Sequence, residues 1–468
     1  MKMTIVLFWL GLTSAALAAD GGLRLSTFHA DVTPGLGPIG SMAILTEVKS
    51  IEHPLEARGV VLEFGGKKHV LTAIDYCGLC NASHDIFREK IAAAIGTDPD
   101  LVVVQALHQH TAPVLDIDGA KIAYSSDEKA LKLQLDFSQK MAERVAEAAK
   151  KSLSNLQPVT RVVASRAKVD RVASNRRVRG ADGTITARYS ATEELELRAM
   201  PEGLIDPWLR TVTFASGDRT LAQLHYYATH PQSFYGDYRI SYDVPGIARQ
   251  RLERETDVFQ VYFSGCSGNI TMGKYNDGTR EARAELTERL YDAMRRSAEA
   301  SRQRASSALT DRTAAVDFTV DTAKLGSDAM SWKVAPLRFA VRHDGKYADA
   351  QLDEAMANRH GPVRRAGAAM NIAWNRRLNS GRFPRVARLQ LGPIQIVHLP
   401  GEPFIEFQLY GQQVAPKSFV CTAGYGDCGV WYYGPDSIYK DRGGYEQNAS
   451  YTTPAESQVK GVLDELLK

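Results

Sequence analysis

Residues Leu101 to Leu107 (Leu-Val-Val-Val-Gln-Ala-Leu) form a short, β-branched and almost wholly apolar run. That length and branching predict a strand buried on both faces, the environment of a sheet with helices packed against it. Such α/β sheets collect ligand chemistry at the carboxyl ends of their strands. This run ends in His108-Gln109-His110. The pattern recurs along the chain. Residues 221–228 read as a strand that delivers Thr229-His230-Pro231, residues 258–263 run into the Gly-rich turn from Ser264 to Asn269, and residues 394–399 end in Pro400-Gly401-Glu402-Pro403.

The intervening sequence supplies hairpins and helices. Hairpins are predicted for residues 59–75 around Gly65-Gly66, for 209–214 with 221–228, and for 385–391 with 394–399 around Gly392-Pro393. Helical patterns cover residues 83–95 with Gly96 as their stop, then 128–153, 244–253, 280–302, most of 346–378 with a break at Gly361-Pro362, and 454–467. The basic stretch from Asn175 to Gly183 has the composition of a loop. The fold class that follows is α/β: a mixed β-sheet core flanked by helices. No internal repeat or Pro/Ser-rich linker marks a boundary, so residues 19–468 read as a single catalytic domain.

The first residues, Met1-Lys2 followed by an apolar run and Ala16-Leu17-Ala18, predict a signal peptide over 1–18 and therefore a secreted or periplasmic protein. No later segment offers the apolar length of a membrane span, so stable membrane insertion is not expected. With 57 Lys+Arg against 54 Asp+Glu, the net charge of +3 offers no electrostatic footing for nucleic acid. Export permits disulfides among the five cysteines. Cys421–Cys428 is the first candidate bridge and Cys77–Cys80 the second, leaving Cys266 over. A redox or zinc role for Cys77-x-x-Cys80 lacks the second cysteine pair that a zinc set needs.

His108 and His110 sit two residues apart, so both would share a face if strand geometry persisted. A lone His-x-His also serves to hydrogen-bond a loop, and Thr229-His230-Pro231 or Glu402 alone would be unremarkable. Together they place imidazoles and a carboxylate at the ends of separate strands, a donor set that suits Zn2+. The chemistry such an ion favours is hydrolysis.

In series, these motifs resemble the catalytic domain of the neutral/alkaline, non-lysosomal ceramidase family. Phe28-His-Ala-Asp31-Val-Thr33-Pro34, Leu55-Glu-Ala-Arg58, Ala73-Ile-Asp75, His108-Gln-His110-Thr-Ala-Pro113, Asn175-Arg176, Asp206-Pro207, Ala228-Thr-His230, Ser241-Tyr-Asp243-Val-Pro-Gly246, Pro400-Gly401-Glu402-Pro403 and Gly443-Gly-Tyr445-Glu446 follow the family's order along nearly the whole chain. The resemblance implies zinc ligands at His108, His230, Glu402 and Tyr433, with Tyr432 one residue from that last position. It implies catalytic or substrate-contacting roles for His110, Arg176 and Tyr445. Asp75, Asp206 and Asp243 match its motifs and read as structural.

The sequence departs from the family twice. Aligned on Gly268-Asn269, the family's nucleophilic serine falls on Gly265. Gly265, Cys266 and Asn269 are then expected to line the substrate site, with attack by a metal-activated water, and Ser264 or Cys266 as substitute nucleophiles. The family's carboxy-terminal immunoglobulin-like domain has no counterpart in the sequence. The expected function is thus an exported zinc-dependent hydrolase of a small-molecule amide, ceramide-like or another N-acyl compound and so in lipid metabolism. An ester or carbohydrate derivative, or a non-catalytic lipid- or glycan-binding protein on the same scaffold, are the alternatives.

Overall fold

The computed structural model describes residues 22–234, 236–302, 314–325, 329–342 and 362–468. The expected leader and the expected helical stretch before Pro362 lie outside these residues. Three sheets carry the chain. The first contains β1 (Arg24–Asp31), β2 (Glu56–Phe64), β3 (Lys67–Ile74) and β4 (Val102–Ala106), in that order, with the two-residue strand Gln157–Pro158 on its outer edge. The second has the order β8-β7-β6-β5-β9, from β5 (Arg161–Lys168), β6 (Trp208–Ser216), β7 (Arg219–Tyr227), β8 (Phe259–Ser264) and β9 (Ala314–Asp321). The third has the order β10-β11-β12-β13, from β10 (Met330–Pro336), β11 (Arg385–Leu391), β12 (Ile394–His398) and β13 (Phe419–Ala423).

One unit recurs in all three sheets: an antiparallel hairpin, a helix, and a strand that returns parallel to the second arm of the hairpin. Helix α1 (Ala82–Ile95) connects β3 to β4, α3 (Asp243–Thr256) connects β7 to β8, and α6 (Ile405–Val414) connects β12 to β13. The chain enters α2 (Glu128–Ser152), α4 (Arg280–Arg302), α5 (Pro362–Asn379) and α7 (Glu456–Leu467) between or after these units. A parallel return needs such a crossover, and it brings two strand carboxyl ends side by side. The mixed sheets and flanking helices expected of the sequence are present. No helix among the described residues is long and apolar enough to cross a membrane.

Side-chain alternation divides the interior in two. Val102, Val104 and Ala106 of β4 face a core shared with α1, α2 and α5, whereas Val103 and Leu107 face a second core with Val212, Val261 and Ile396 from the other sheets. Both faces of β4 are buried, as its continuous apolar run requires. The strand ends are laced together across the sheets. Gln105 Nε2 donates to the carbonyls of Leu399 and Gly424 at 3.1 and 2.8 Å, Ser264 Oγ donates to Leu107 O at 2.7 Å, and Gly424 N donates to Ser264 O at 2.9 Å.

Two sequence expectations are corrected. All five cysteines are free and buried. Cys421 faces the second core while Cys428 lies in the first with Cys77, Cys80 and Cys266, so the Gly-rich loop between 421 and 428 passes from one core to the other rather than closing on itself. The basic loop is a short hairpin, Arg177–Arg179 against Ile185–Ala187, because Arg177 and Arg179 both bond the Asp441 carboxylate at 2.8 Å.

Asp75 is fully buried, and Arg249 holds it with paired bonds of 2.9 and 3.0 Å. Arg249→Ala leaves that carboxylate unpaired, and unfolding by denaturant is expected to show a loss of about 3–5 kcal/mol. His225, also fully buried, bonds Thr211 Oγ1 and Gln260 Oε1 at 2.9 and 2.7 Å, and burial lowers it from 6.5 to about 4. The unfolded chain takes up this proton below pH 6.5 while the folded chain refuses it until about 4, so stability falls with pH across that window. His225→Gln is expected to flatten the unfolding free energy between those limits by on the order of 3 kcal/mol.

Candidate metal centre

The strand before His108 stops at Ala106, and His108 itself takes a left-handed conformation with φ 74°. A non-glycine residue held there is strained, and strain of this kind gathers where a side chain must be aimed. The turn redirects the chain, so His108 and His110 approach one another by a bend and not along a strand face, with Nε2 atoms 3.4 Å apart. His230 follows β7 in the second sheet. Glu402 follows β12 in the third, on the two-residue strand Glu402–Pro403 paired with Tyr432–Tyr433. The turn before it needs Gly401, with φ 57°, because a Cβ there would lie 2.3 Å from Val430 Cγ1 and 2.7 Å from Trp431 O.

Three elements distant in sequence thus converge. Glu402 Oε2 lies 3.2 Å from His108 Nε2 and 3.0 Å from His230 Nε2, and all three residues are buried. Each imidazole is oriented from behind: His108 Nδ1 bonds the Cys77 carbonyl and His230 Nδ1 the Ser267 carbonyl, both at 2.6 Å. With Nδ1 donating, Nε2 presents a lone pair to the shared point, the arrangement that orients metal-ligating histidines. His230 Nε2 and both Glu402 oxygens are buried and have no hydrogen-bond partner. Buried polar atoms are rarely left so. A divalent cation satisfies all of them, and the nitrogen-and-oxygen donor set fits zinc.

Charge at the centre is unevenly distributed. Burial opposes ionisation of Glu402, yet the two imidazoles hold its carboxyl well below the usual carboxylate range. Burial and the Arg176 guanidinium push His230 down to about 4. Burial and the neighbouring His108 keep His110 well below its ordinary value, so it is neutral near pH 7. Arg176 is buried, donates to Glu446 Oε1 at 3.1 Å and to Gly268 O, and lies 5.0 Å from the ring centres of both Tyr432 and Tyr445. It is a fixed positive charge walled by two phenols.

Tyr433, the phenol expected among the ligands, faces away from the centre. Adjacent residues of a strand face opposite ways. Tyr433 points into the core, where its hydroxyl donates to Pro400 O at 2.7 Å and its ring packs against Phe339 and Phe407. Tyr432 stands beside His230, with rings 6.4 Å apart, and Tyr445 meets it edge to face at 5.8 Å.

Gly265, Cys266 and Asn269 are turned to α6 rather than to the centre. A Cβ on Gly265 would lie 2.5 Å from Gln408 Oε1 and 3.1 Å from the Ala228 Cβ, so Gln408 fills the space where the family's serine side chain was expected. Cys266 N donates to the same Gln408 oxygen at 3.0 Å, and its thiol is buried. Asn269 caps the start of α6, accepting from Ile405 N at 2.9 Å and donating to Glu406 at 3.0 Å. Ser264 is held by Leu107 O at 2.7 Å. Asp206 accepts from Gln408 and Gln412 at 2.9 and 2.8 Å, and Asp243 accepts from Ser233 N at 2.9 Å; both anchor loops.

Sequence reasoning missed Tyr425. Its ring stacks on His108 at 4.4 Å, and its hydroxyl bonds Ser267 Oγ at 2.6 Å and reaches His230 Nδ1 at 3.4 Å. The signal was present: Tyr425 follows the end of β13 in a Gly-rich turn, as the histidines follow theirs.

No protein-family model matches the chain, and no curated protein matches it in sequence. Among solved structures, it is similar to the neutral ceramidase of Pseudomonas aeruginosa, with a TM-score of 0.66 and 15% identity over 96% of this chain and 74% of that one. A second structure, a ceramidase complexed with C2, matches at a TM-score of 0.63 and 14% identity, over 96% of this chain and 75% of that one. The chain has the neutral ceramidase fold.

Tyr432→Phe is expected to weaken retention of an added divalent cation against a chelator by at least about tenfold. Tyr433→Phe is expected to leave that retention unchanged while losing about 1 kcal/mol of stability, from the unpaired Pro400 carbonyl. Competition with a chromogenic chelator and thermal unfolding check the pair.

Proposed function

We propose that the chain is an exported zinc-dependent hydrolase that cleaves an amide bond of a ceramide-like or other N-acyl compound. The observation that carries this reading is the convergence of His108, His230 and Glu402, with Nδ1 of both imidazoles tied to backbone carbonyls and the inward-facing atoms of His230 and Glu402 unpartnered. The likeness to ceramidases in fold supports the amide. These three residues would hold zinc, with Tyr432 as the neighbouring phenol. When bound, the ion supplies Lewis acidity toward a carbonyl oxygen and lowers the pKa of water.

The chain's own residues divide the remaining work. His110 is half-buried and sits against His108, so its neutral ring is placed to take a proton from the attacking water and return it to the leaving nitrogen. Arg176 has its guanidinium occupied by Glu446 and Gly268, which fixes its charge in place without reorganisation. A fixed charge of that kind stabilises negative charge as it develops on a carbonyl oxygen. Tyr445 packs between Arg176 and the half-exposed Tyr189 and forms an aromatic wall toward solvent.

The blocked position at Gly265 favours direct attack by water over a covalent intermediate, because the Ser264 hydroxyl is bonded to Leu107 O and the Cys266 thiol is buried in the first core. The same observation gives weight to a second reading, a zinc-holding binder of lipids or glycans without turnover.

Purified protein incubated with short- and long-chain ceramides, with and without chelation, tests the reading. His108→Ala is expected to lower turnover at least about a hundredfold. His110→Ala is expected to lower it by about 10²–10⁴. Ser264→Ala and Cys266→Ala are expected to retain activity within a few-fold. Loss in either as complete as in His108→Ala overturns attack by water. Bound metal without turnover of amides, esters or carbohydrate derivatives supports the binder.

A further inference from the structure

A cavity of about 520 Å³ lies between the first and third sheets, and none of the candidate metal ligands lines it. Burial gives it a direction. Gln105, His398 and Gly426 are buried and form its inner end, whereas Arg338 and Arg382 are exposed and stand at its mouth. Three of the lining carboxylates are already engaged. Asp85 accepts from Arg377 Nη2 at 3.0 Å, Asp100 pairs with Arg88 at 3.1 Å and with Arg385, and Asp427 lies 3.4 Å from Arg377 Nε. Among the described residues, no carboxylate pairs with Arg338 or Arg382, and Glu89 is the lining carboxylate without a cation. The uncompensated charge at the mouth is therefore positive. The Phe383 ring, 5.1 Å from the Arg338 guanidinium, steadies that cation. At the inner end, Gln105 Nε2 donates to the carbonyls of Leu399, Ala423 and Gly424, which fixes the amide. Gln105 Oε1 then has no donor among the described residues. Gly426 leaves it uncovered, since a Cβ there would lie 2.8 Å from that oxygen. Both ring nitrogens of His398 are without a hydrogen-bond partner as well. Buried polar atoms are rarely left so.

We infer that this cavity is a second binding site, for a small hydroxylated organic anion whose acid group meets Arg338 and Arg382 while a hydroxyl reaches Gln105 Oε1 and His398. Each part of that ligand answers one end of the cavity. Guanidinium groups bond carboxylate and phosphate oxygens alike, so the acid group is of either kind. Gln105 Oε1 only accepts, so it needs a donor that a fully ionised acid lacks. Burial lowers His398 to about 3, so its ring is neutral and offers one N–H and one lone pair. A hydroxyl, donor and acceptor at once, satisfies both groups. Val103 and Val334 add apolar wall, and the volume is within the range of small-molecule clefts.

Isothermal titration calorimetry of the purified full chain with gluconate, glucose 6-phosphate, glucose and inorganic phosphate tests the inference without reference to turnover. Gluconate or glucose 6-phosphate is expected to bind at a single site, and the tighter of the two tells carboxylate from phosphate. Glucose, which lacks the charge, and inorganic phosphate, which lacks the sugar hydroxyls, are each expected to bind at least about tenfold more weakly. Arg338→Ala combined with Arg382→Ala is expected to weaken the tighter anion by at least about tenfold, and Glu89→Gln to strengthen it. A crystal of the unsubstituted chain grown with that anion, which depends on no variant folding, is expected to show its acid group at Arg338 and Arg382. No binding of either hydroxylated anion, equal binding of glucose or of inorganic phosphate, or an affinity unchanged in the double arginine variant overturns the inference. Because no lining residue belongs to the metal centre, failure of the hydrolase reading leaves the binding result intact, and the reverse also holds.

Discussion

A fully buried carboxylate between two buried imidazoles is the constraint on which the rest of the molecule depends. Glu402 has no exposure and no hydrogen-bond donor of its own, so its charge is tolerable only where positive charge or a cation meets it. His108 and His230 supply the approach, and Arg176 adds a fixed charge behind them. Each of these groups is secured from behind by backbone carbonyls or by an ion pair. Local rigidity replaces the solvation that burial removes.

The fold meets that constraint by repetition of topology without repetition of sequence. Each sheet contains a hairpin whose second arm is joined through a helix to a parallel strand, and each contributes side chains from carboxyl ends. The bonds from Gln105 and Ser264 that tie the strand ends across the three sheets bring those ends to one point. The strain at His108 belongs to the same design. A strand continued past Ala106 would carry His110 onward, whereas a left-handed residue folds it back against its neighbour.

Much of this was legible in the residues. The buried strand before His108, the hairpins around Gly65-Gly66 and Gly392-Pro393, and the long helix 280–302 all follow from apolar period and turn chemistry acting over a few residues. His108, His230 and Glu402 were visible because each stands where a strand stops. The choice between Tyr432 and Tyr433 was not, since a two-residue strand has no periodic pattern and its facing is set by a partner thirty residues away. Gln408 was equally hidden. It lies on an ordinary helix, and only the packing of α6 against the turn after β8 shows that its amide fills the space beside Gly265. The cysteines misled for a related reason: proximity in sequence suggested a bridge, while Cys421 faces the second core from β13 and the Gly-rich turn carries Cys428 into the first.

The sequence by itself determined the element types, the mixed α/β class and the ligand-type residues at strand ends, because hydrophobic period, turn residues and donor chemistry are local properties. The tertiary structure alone decided which of those residues meet, which phenol faces the histidines, what occupies the place of the family's serine, and that the Cys77 thiol lies beside His108. These are outcomes of long-range packing, in which a one-residue change of facing reverses what a side chain touches.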